Sequence, residues 1–196
     1  MIRWGDILTK EGFLNKPAYA KSFNLVDRAD FVSEEYKKLS NSDEPIPITY
    51  NQTQSAPHMD AIFVNYGEPS PSDIALEIGT GSGYLTAILS FLCRRVVSIE
   101  YISALSRWAY RNISKYGVKN VDLIIGNINR VPLKMKFDLI ISTASFRKEP
   151  DFLKNLIKPE GRLIFPVGTS PPQRLIRYKN GKRDYLGSVA FVNIVD

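Results

Sequence analysis

Three glycines at alternate positions, Gly79, Gly81 and Gly83, end an apolar run over residues 74–78 and open a helix-like pattern, and no other stretch limits the fold so strongly. The run has the composition of a buried parallel strand. The glycines remove each Cβ where the backbone must turn sharply and where a ligand lies against the main chain. Such a ligand meets the amide-rich start of the next helix. Several cofactor classes share turns of this kind, and the spacing separates them. The dinucleotide fingerprint Gly-x-Gly-x-x-Gly needs its last glycine at position 84, which is Tyr84, and the Lys-Ser/Thr ending of a phosphate loop is absent. Glu100 closes the next apolar run, 95–99, about 20 residues past the loop, where an acid at a strand end can accept hydrogen bonds from both hydroxyls of a ribose. The pattern is that of a nucleoside-cofactor loop that does not grip a pyrophosphate.

The arrangement Glu77-x-Gly79-x-Gly81-x-Gly83 resembles the first motif of class I methyltransferases. The resemblance implies S-adenosyl-L-methionine as cofactor, with Glu77, Gly79, Thr80, Gly81, Ser82, Gly83, Glu100 and Tyr101 around it.

From residue 74 onward, strand-like runs (74–78, 95–99, 121–125, 137–142, 162–166) alternate with helix-like ones (83–93, 101–116, 151–157), which predicts a doubly wound parallel sheet. Two further runs, 173–178 and 185–195, flank Asn180-Gly181, a hairpin-turn dipeptide, and predict an antiparallel addition at one edge. The expected fold is thus α/β: a mostly parallel seven-stranded sheet, Rossmann-like in the manner of class I methyltransferases, with an N-terminal helical cap and a C-terminal hairpin. At 196 residues and 44% hydrophobic content, the chain is expected to form a single domain, with residues 1–70 as cap and substrate segment and 71–196 as cofactor-binding core. No apolar segment reaches the ~18 residues of a membrane span and the N-terminus lacks a signal-peptide pattern, so no membrane partner and a cytoplasmic location are expected. The lone Cys93 sits in an apolar run and reads as an inert, buried thiol.

A net charge of +6 invites a nucleic-acid partner, yet the densest basic stretch, 174–183, surrounds the Asn-Gly turn and reads as a solvated ribbon. Upstream, Ser33 followed by Glu34 and Glu35 predicts a helix start, and residues 43–47 an extended turn. Ser55 is placed to cap a helix over 56–66 with Pro57 in its first turn. His58, the only histidine, has no nucleophile or acid beside it in the sequence and reads as structural.

The segments Arg28-Ala29-Asp30-Phe31-Val32-Ser33-Glu34-Glu35-Tyr36, Asp43-Glu44-Pro45-Ile46-Pro47-Ile48 and Gln52-Thr53-Gln54-Ser55-Ala56-Pro57-His58-Met59 resemble the N-terminal signature of protein-L-isoaspartate O-methyltransferases. The likeness runs on through the glycine loop and through 161–168 to Val189-Ala190-Phe191-Val192, about residues 25 to 193. It implies methylation of the α-carboxylate of isoaspartyl residues in damaged proteins. It also implies Ser55 in the catalytic position with Thr53 beside it, Gln52 and Gln54 closing over the cofactor, Asn127 and Ile128 near the adenine, and Thr143 and Gln173 toward the substrate. The chain departs from the family pattern in three places. Asn51 and Gln54 replace the glycine and the isoleucine of Gly-x-Thr-Ile-Ser; Asn127-Ile128 replaces Asp-Gly; Ser145 replaces the second alanine of Thr-Ala-Ala. Three other functions fit the residues less closely: a nucleic-acid methyltransferase, a relative without catalysis, and a methyltransferase for another carboxylate. Against the first, residues 141–144 lack the Asn/Asp-Pro-Pro-aromatic tetrad of amino-group methylation, and Cys93 has no Pro-Cys context.

Overall fold

The computed structural model describes residues 2–195. Helices α1 (Trp4–Lys10) and α2 (Pro17–Leu25) pack on each other, and Asn24 of α2 accepts the otherwise orphaned Gly5 N–H in the first turn of α1 at 2.8 Å. Two 3-10 segments follow, Arg28–Phe31 and Glu34–Asn41. The second begins after Ser33 as the sequence predicts, but the Ser33 side chain makes no cap hydrogen bond.

Strands β1 (Ile46–Ile48) and β2 (Gln52–Gln54) form a small antiparallel hairpin that the sequence reading lacks. Tyr50 and Asn51 turn it with φ of 63° and 55°, the left-handed pair that suits a tight hairpin, and neither is the Asn-Gly dipeptide that would announce one. Helix α3 (Pro57–Gly67) then leads into the main sheet: β3 (Ile74–Ile78), α4 (Tyr84–Ser90), β4 (Arg95–Glu100), α5 (Ser103–Ser114), β5 (Val121–Ile125), β6 (Phe137–Ser142), α6 (Asp151–Lys154), β7 (Ile157–Val167), β8 (Gln173–Lys179) and β9 (Lys182–Val189).

Among the described residues the main sheet has seven strands, ordered β5-β4-β3-β6-β7-β8-β9. The first five run parallel, and β8 and β9 add antiparallel. This is the expected class, with two corrections at its edges. The helix expected over 151–157 is only Asp151–Lys154, because Ile157 pairs with Phe137 and so extends β7 well beyond 162–166. The last strand ends at Val189 rather than 195. Both amide atoms of Gln173 take the backbone of Phe191 at 2.7 and 2.8 Å, and the chain then crosses the sheet's carboxyl ends, bridging to Ser145.

Alternation along the strands sends side chains into two cores. Leu76, Ile78, Val97, Ile99, Ile140 and Phe165 pack on one face. On the other, Ala75, Val96 and Leu139 meet Trp4, Phe23, Phe31 and the helices α3 and α4, so the N-terminal segment shares its core with the sheet. Glu77 falls on this second face, fully buried. Three of the five bases of the ribbon are paired with acids: Arg177 with Asp184 at 2.7 Å, Lys179 with Glu68 at 2.7 Å and Arg183 with Glu149 at 2.8 Å.

The loop after β3 depends on Gly83, which has φ +90° and would set a Cβ 2.9 Å from Ile113 Cδ1 and 3.1 Å from Ala109 of α5. Gly81 has φ +55° but its nearest neighbour to a Cβ is Ile48 at 3.9 Å. Gly83→Ala should therefore cost about 2 to 4 kcal/mol, adding overpacking to left-handed strain, and Gly81→Ala about 1 kcal/mol. Chemical denaturation of the two variants checks the order; equal losses would mean the Gly83 contacts relax freely.

Candidate active site

Where strand order reverses between β3 and β6, an open α/β sheet has a crevice at its carboxyl ends. Two adjoining cavities occupy it here. The first is lined by the ends of β3 to β6 together with Gln52 and Thr53 from the hairpin and residues 192–195 of the tail. The second lies between the glycine loop and the start of α3, and Thr53, Gly79, Gly81, Thr143 and Val192 line both.

Glu100 ends β4 in the first cavity and is 7% exposed. One carboxylate oxygen accepts the Gly81 N–H and the other the Ile102 N–H ahead of α5, each at 2.9 Å. Burial raises its pKa and these amides oppose the rise. Each oxygen keeps a second lone pair for a hydroxyl donor. Tyr101, Asn127 and Ile128 line the same cavity. Asn127 accepts from Asn129 N–H at 2.9 Å and donates to the Val195 carbonyl at 3.1 Å, so its amide holds the tail as well as its own turn. Thr143, from the end of β6, donates to the Gly79 carbonyl at 2.7 Å and fixes the loop from the opposite strand.

In the second cavity Glu77 is held by hydroxyls. Ser98 donates to one oxygen at 2.6 Å and Thr86 to the same atom, while Thr80 contacts Ser98 at 2.6 Å. Burial pushes the Glu77 carboxyl up to about 7 against those hydrogen bonds, and its other oxygen is buried with no partner among the described residues. Ser82 is buried on the same wall.

The segment that carries Thr53, Gln54 and Ser55 is anchored from behind. Arg28, 1% exposed, donates to the carbonyls of Ser42, Glu44 and Ser55 at 2.7, 2.6 and 3.0 Å. Gln54 completes this cluster, its amide accepting from Arg28 Nε at 3.3 Å and donating to the Phe31 carbonyl at 2.8 Å. The polar residue at position 54 thus has a partner that an isoleucine could not serve.

Ser55 does not cap α3, contrary to the sequence expectation: the N-cap is Ala56 and no serine hydroxyl bonds the first turn. Asp43 does that work from a distance, accepting the His58 N–H at 2.9 Å and contacting the imidazole Nδ1 at 3.0 Å. His58 is structural, its ring packed 5.6 Å from Phe13. The Ser55 hydroxyl, freed of the cap, lines the second cavity with no hydrogen-bond partner among the described residues.

Two of the expected residues line neither cavity. Gly83 faces α5, and Gln173 stands behind the tail, gripping Phe191, whose neighbour Val192 lines both cavities. The sequence reading passed over Asp60, Tyr84, Arg28 and the tail. Asp60 and Tyr84, each 2% exposed, line the second cavity with Asp60 Oδ1 and the Tyr84 hydroxyl unpartnered among the described residues. A carboxylate on the buried side of α3 is the signal that could have found Asp60. The Cys93 thiol is buried, and burial pushes it up to about 12.

Comparison with known proteins agrees with this geometry. The family model for protein-L-isoaspartate(D-aspartate) O-methyltransferase matches residues 5–196. The protein-L-isoaspartate O-methyltransferase of Pyrococcus abyssi is 38% identical over 97% of this chain and 92% of its own length, and that of Myxococcus xanthus 35% over 92% and 86%. The fold superposes on a Plasmodium falciparum protein described under the same activity and crystallised with S-adenosyl-L-homocysteine, with TM-score 0.86, 26% identity and coverage of 98% and 96%. The chain belongs to the protein-L-isoaspartate(D-aspartate) O-methyltransferase family.

Proposed function

We propose that this protein transfers the methyl group of S-adenosyl-L-methionine to the α-carboxylate of L-isoaspartyl residues in damaged proteins, acting in the cytoplasm as one domain in which cap and sheet cooperate. The observation that carries the reading is the unpartnered Ser55 hydroxyl, set on an anchored segment where the two cavities adjoin. The residues present fit the cofactor. Glu100 has lone pairs for ribose hydroxyls, Tyr101, Asn127 and Ile128 border the adenine end, and Gly79 and Gly81 offer backbone without Cβ atoms to the amino-acid end. The orphaned buried oxygen of Glu77 wants a donor in the same place.

S-adenosyl-L-methionine held there would supply an electrophilic methyl on a sulfonium, whose transfer to a carboxylate oxygen would return the S–C electron pair to sulfur and require no proton to move. The chain has correspondingly little acid–base work. An isoaspartyl α-carboxyl has an ordinary pKa near 3.3–3.9 and is already ionised at pH 7. What the protein contributes is alignment, which can supply about 7 kcal/mol or more of the barrier. Ser55 and Thr53 donate to the carboxylate without neutralising it, and their backbone is fixed by the Arg28 cluster rather than by a mobile loop. Thr143 and the tail at Val192 shape the same opening. A nucleic-acid substrate is disfavoured because three of the ribbon's five bases, Arg177, Lys179 and Arg183, are paired with Asp184, Glu68 and Glu149.

Labelled cofactor presented with an isoaspartyl peptide, its aspartyl twin and bulk tRNA tests the assignment: label should enter only the first, and label in tRNA would replace the reading. Ser55→Ala should leave the melting temperature nearly unchanged, since no cap hydrogen bond is lost, and lower the single-turnover rate by about tenfold or more; Thr53→Val should act in the same direction. An unchanged rate in both removes the orienting role. Glu100→Ala should weaken S-adenosyl-L-homocysteine by about 1 to 3 kcal/mol, the worth of hydrogen bonds to a charged acceptor, as read by calorimetry.

A further inference from the structure

The excess of positive charge is concentrated at one place in this chain. Nine of the 26 lysines and arginines but only two of the 20 acids fall within residues 94–136, so this stretch carries +7 and the rest of the chain −1. It folds as β4, α5, β5 and the loop that leads to β6, and so makes one edge of the main sheet. Of its two acids, Glu100 is buried in the crevice and Asp122 pairs with Arg95 at 2.5 Å. Lys115 meets Asp30 at 2.9 Å. The other seven bases are exposed and have no acid partner among the described residues, in contrast to the β8–β9 ribbon.

Helix α5 has no acid at all. It turns Leu105, Ala109 and Ile113 to the core, and Arg107 and Arg111 fall on the opposite face, four residues and about 6 Å apart along the axis. The bases begin at the crevice: Ile102 and Leu105, just before Arg107, line the first cavity, and so do residues 126–128, just before Arg130. They continue away from the rim through Lys134 and Lys136 in the loop, and at the amino ends of the strands Arg94 and Lys119 line a depression of their own. Like charges left unpaired along one edge repel one another, and an acidic chain lying along them removes that cost. A polypeptide that delivers a carboxylate to the crevice must carry its neighbouring residues over this rim. Where an isoaspartyl residue has formed from asparagine, it also carries a negative charge that its parent lacked. A polynucleotide would find little to stack on, since Tyr110 is the one strongly exposed ring on the outer face of α5.

We propose that this edge is a docking surface for acidic segments that flank the methyl-accepting residue, so that the preferred substrates are acidic damaged proteins. This names the substrate class within the isoaspartyl reading above and rests on it. No lysine or arginine lines either cavity, so the attraction acts through encounter and KM rather than through the methyl-transfer step. Salt weakens it, because the Debye length falls from about 30 Å at 0.01 M to about 8 Å at 0.15 M.

Two isoaspartyl peptides of equal length, one flanked by glutamates and one by lysines, test this on the full chain by steady-state methylation. In wild type at about 0.02 M ionic strength the acidic peptide should have a KM lower by about tenfold or more with a similar kcat, and about 0.5 M salt should erase most of the gap. Arg107→Glu combined with Arg111→Glu should raise the KM of the acidic peptide about tenfold and leave kcat and S-adenosyl-L-homocysteine affinity within about twofold of wild type. Arg174→Glu combined with Lys182→Glu changes the net charge equally, but on the ribbon, and should leave the preference in place. Equal KM for the two peptides in wild type, or equal loss of preference in both double variants, overturns the proposal. If the α5 variant does not fold, Arg130→Glu combined with Lys134→Glu in the exposed loop takes its place under the same criteria. Binding of single-stranded RNA that needs Arg107 and Arg111, with no lower KM for acidic flanks, would assign the edge to a polynucleotide and overturn the proposal. Failure of wild type to methylate either peptide would instead refute the isoaspartyl reading itself.

Discussion

A guanidinium buried to 1% exposure, that of Arg28, sets the geometry on which the site depends. Taking a cation out of water is tolerable only if its donors are met, and here they are met by the carbonyls of Ser42, Glu44 and Ser55 and by the Gln54 amide. Those acceptors belong to the end of the second 3-10 segment, the approach to β1, and the strand and turn that precede α3. One side chain therefore holds three stretches of irregular backbone in register. Loss of its charge centre would leave three carbonyls without donors, so the anchor is cooperative rather than a sum of contacts.

The rigid sheet supplies the other half. Residues 79, 100, 126 and 143 are at or just past the ends of four adjacent parallel strands, and hydrogen bonds from Gly79 to Ile99, Gly126 to Glu100 and Thr143 to Ile78 continue the ladders to the rim of the crevice. The cap is welded to this rim through a shared core: Tyr84 of α4 packs edge-on against Phe23 and Phe31 of the N-terminal segment at 6.4 and 5.5 Å. The same residue thus carries core packing on its ring and an unpartnered hydroxyl in the second cavity. Rigid strand ends and an anchored cap together give the fixed orientation that methyl transfer to an ionised carboxylate requires, in place of acid–base groups.

Charge is divided accordingly. On the β8–β9 ribbon Arg177, Lys179 and Arg183 are paired with Asp184 of β9, Glu68 and Glu149, whereas the acids of the crevice, Glu77, Glu100 and Asp60, have no basic partner and titrate above their ordinary range because they are buried. A net charge of +6 is therefore a property of the outside, while the crevice favours cations.

The sequence by itself determined the parallel sheet and its cofactor edge, because short continuous apolar runs, glycines at alternate positions and Glu100 are local patterns whose physics is short-ranged. It also determined the hairpin at Asn180-Gly181, and the family through a motif specific enough to stand without geometry. Only the tertiary structure decided how the cap serves the site. Ser55 reads as a helix cap in sequence, and what frees its hydroxyl is Asp43, twelve positions upstream, reaching the His58 N–H. The β1–β2 hairpin turns on Tyr50 and Asn51, whose left-handed backbone is not written in their residue types as it is in Asn-Gly. The tail leaves the sheet at Val189 because Gln173 captures Phe191, a contact between distant residues that periodicity cannot encode. Asp60, Glu77 and Tyr84 come from three separate elements; each alone is an ordinary buried residue, and only folding makes their unpartnered atoms neighbours.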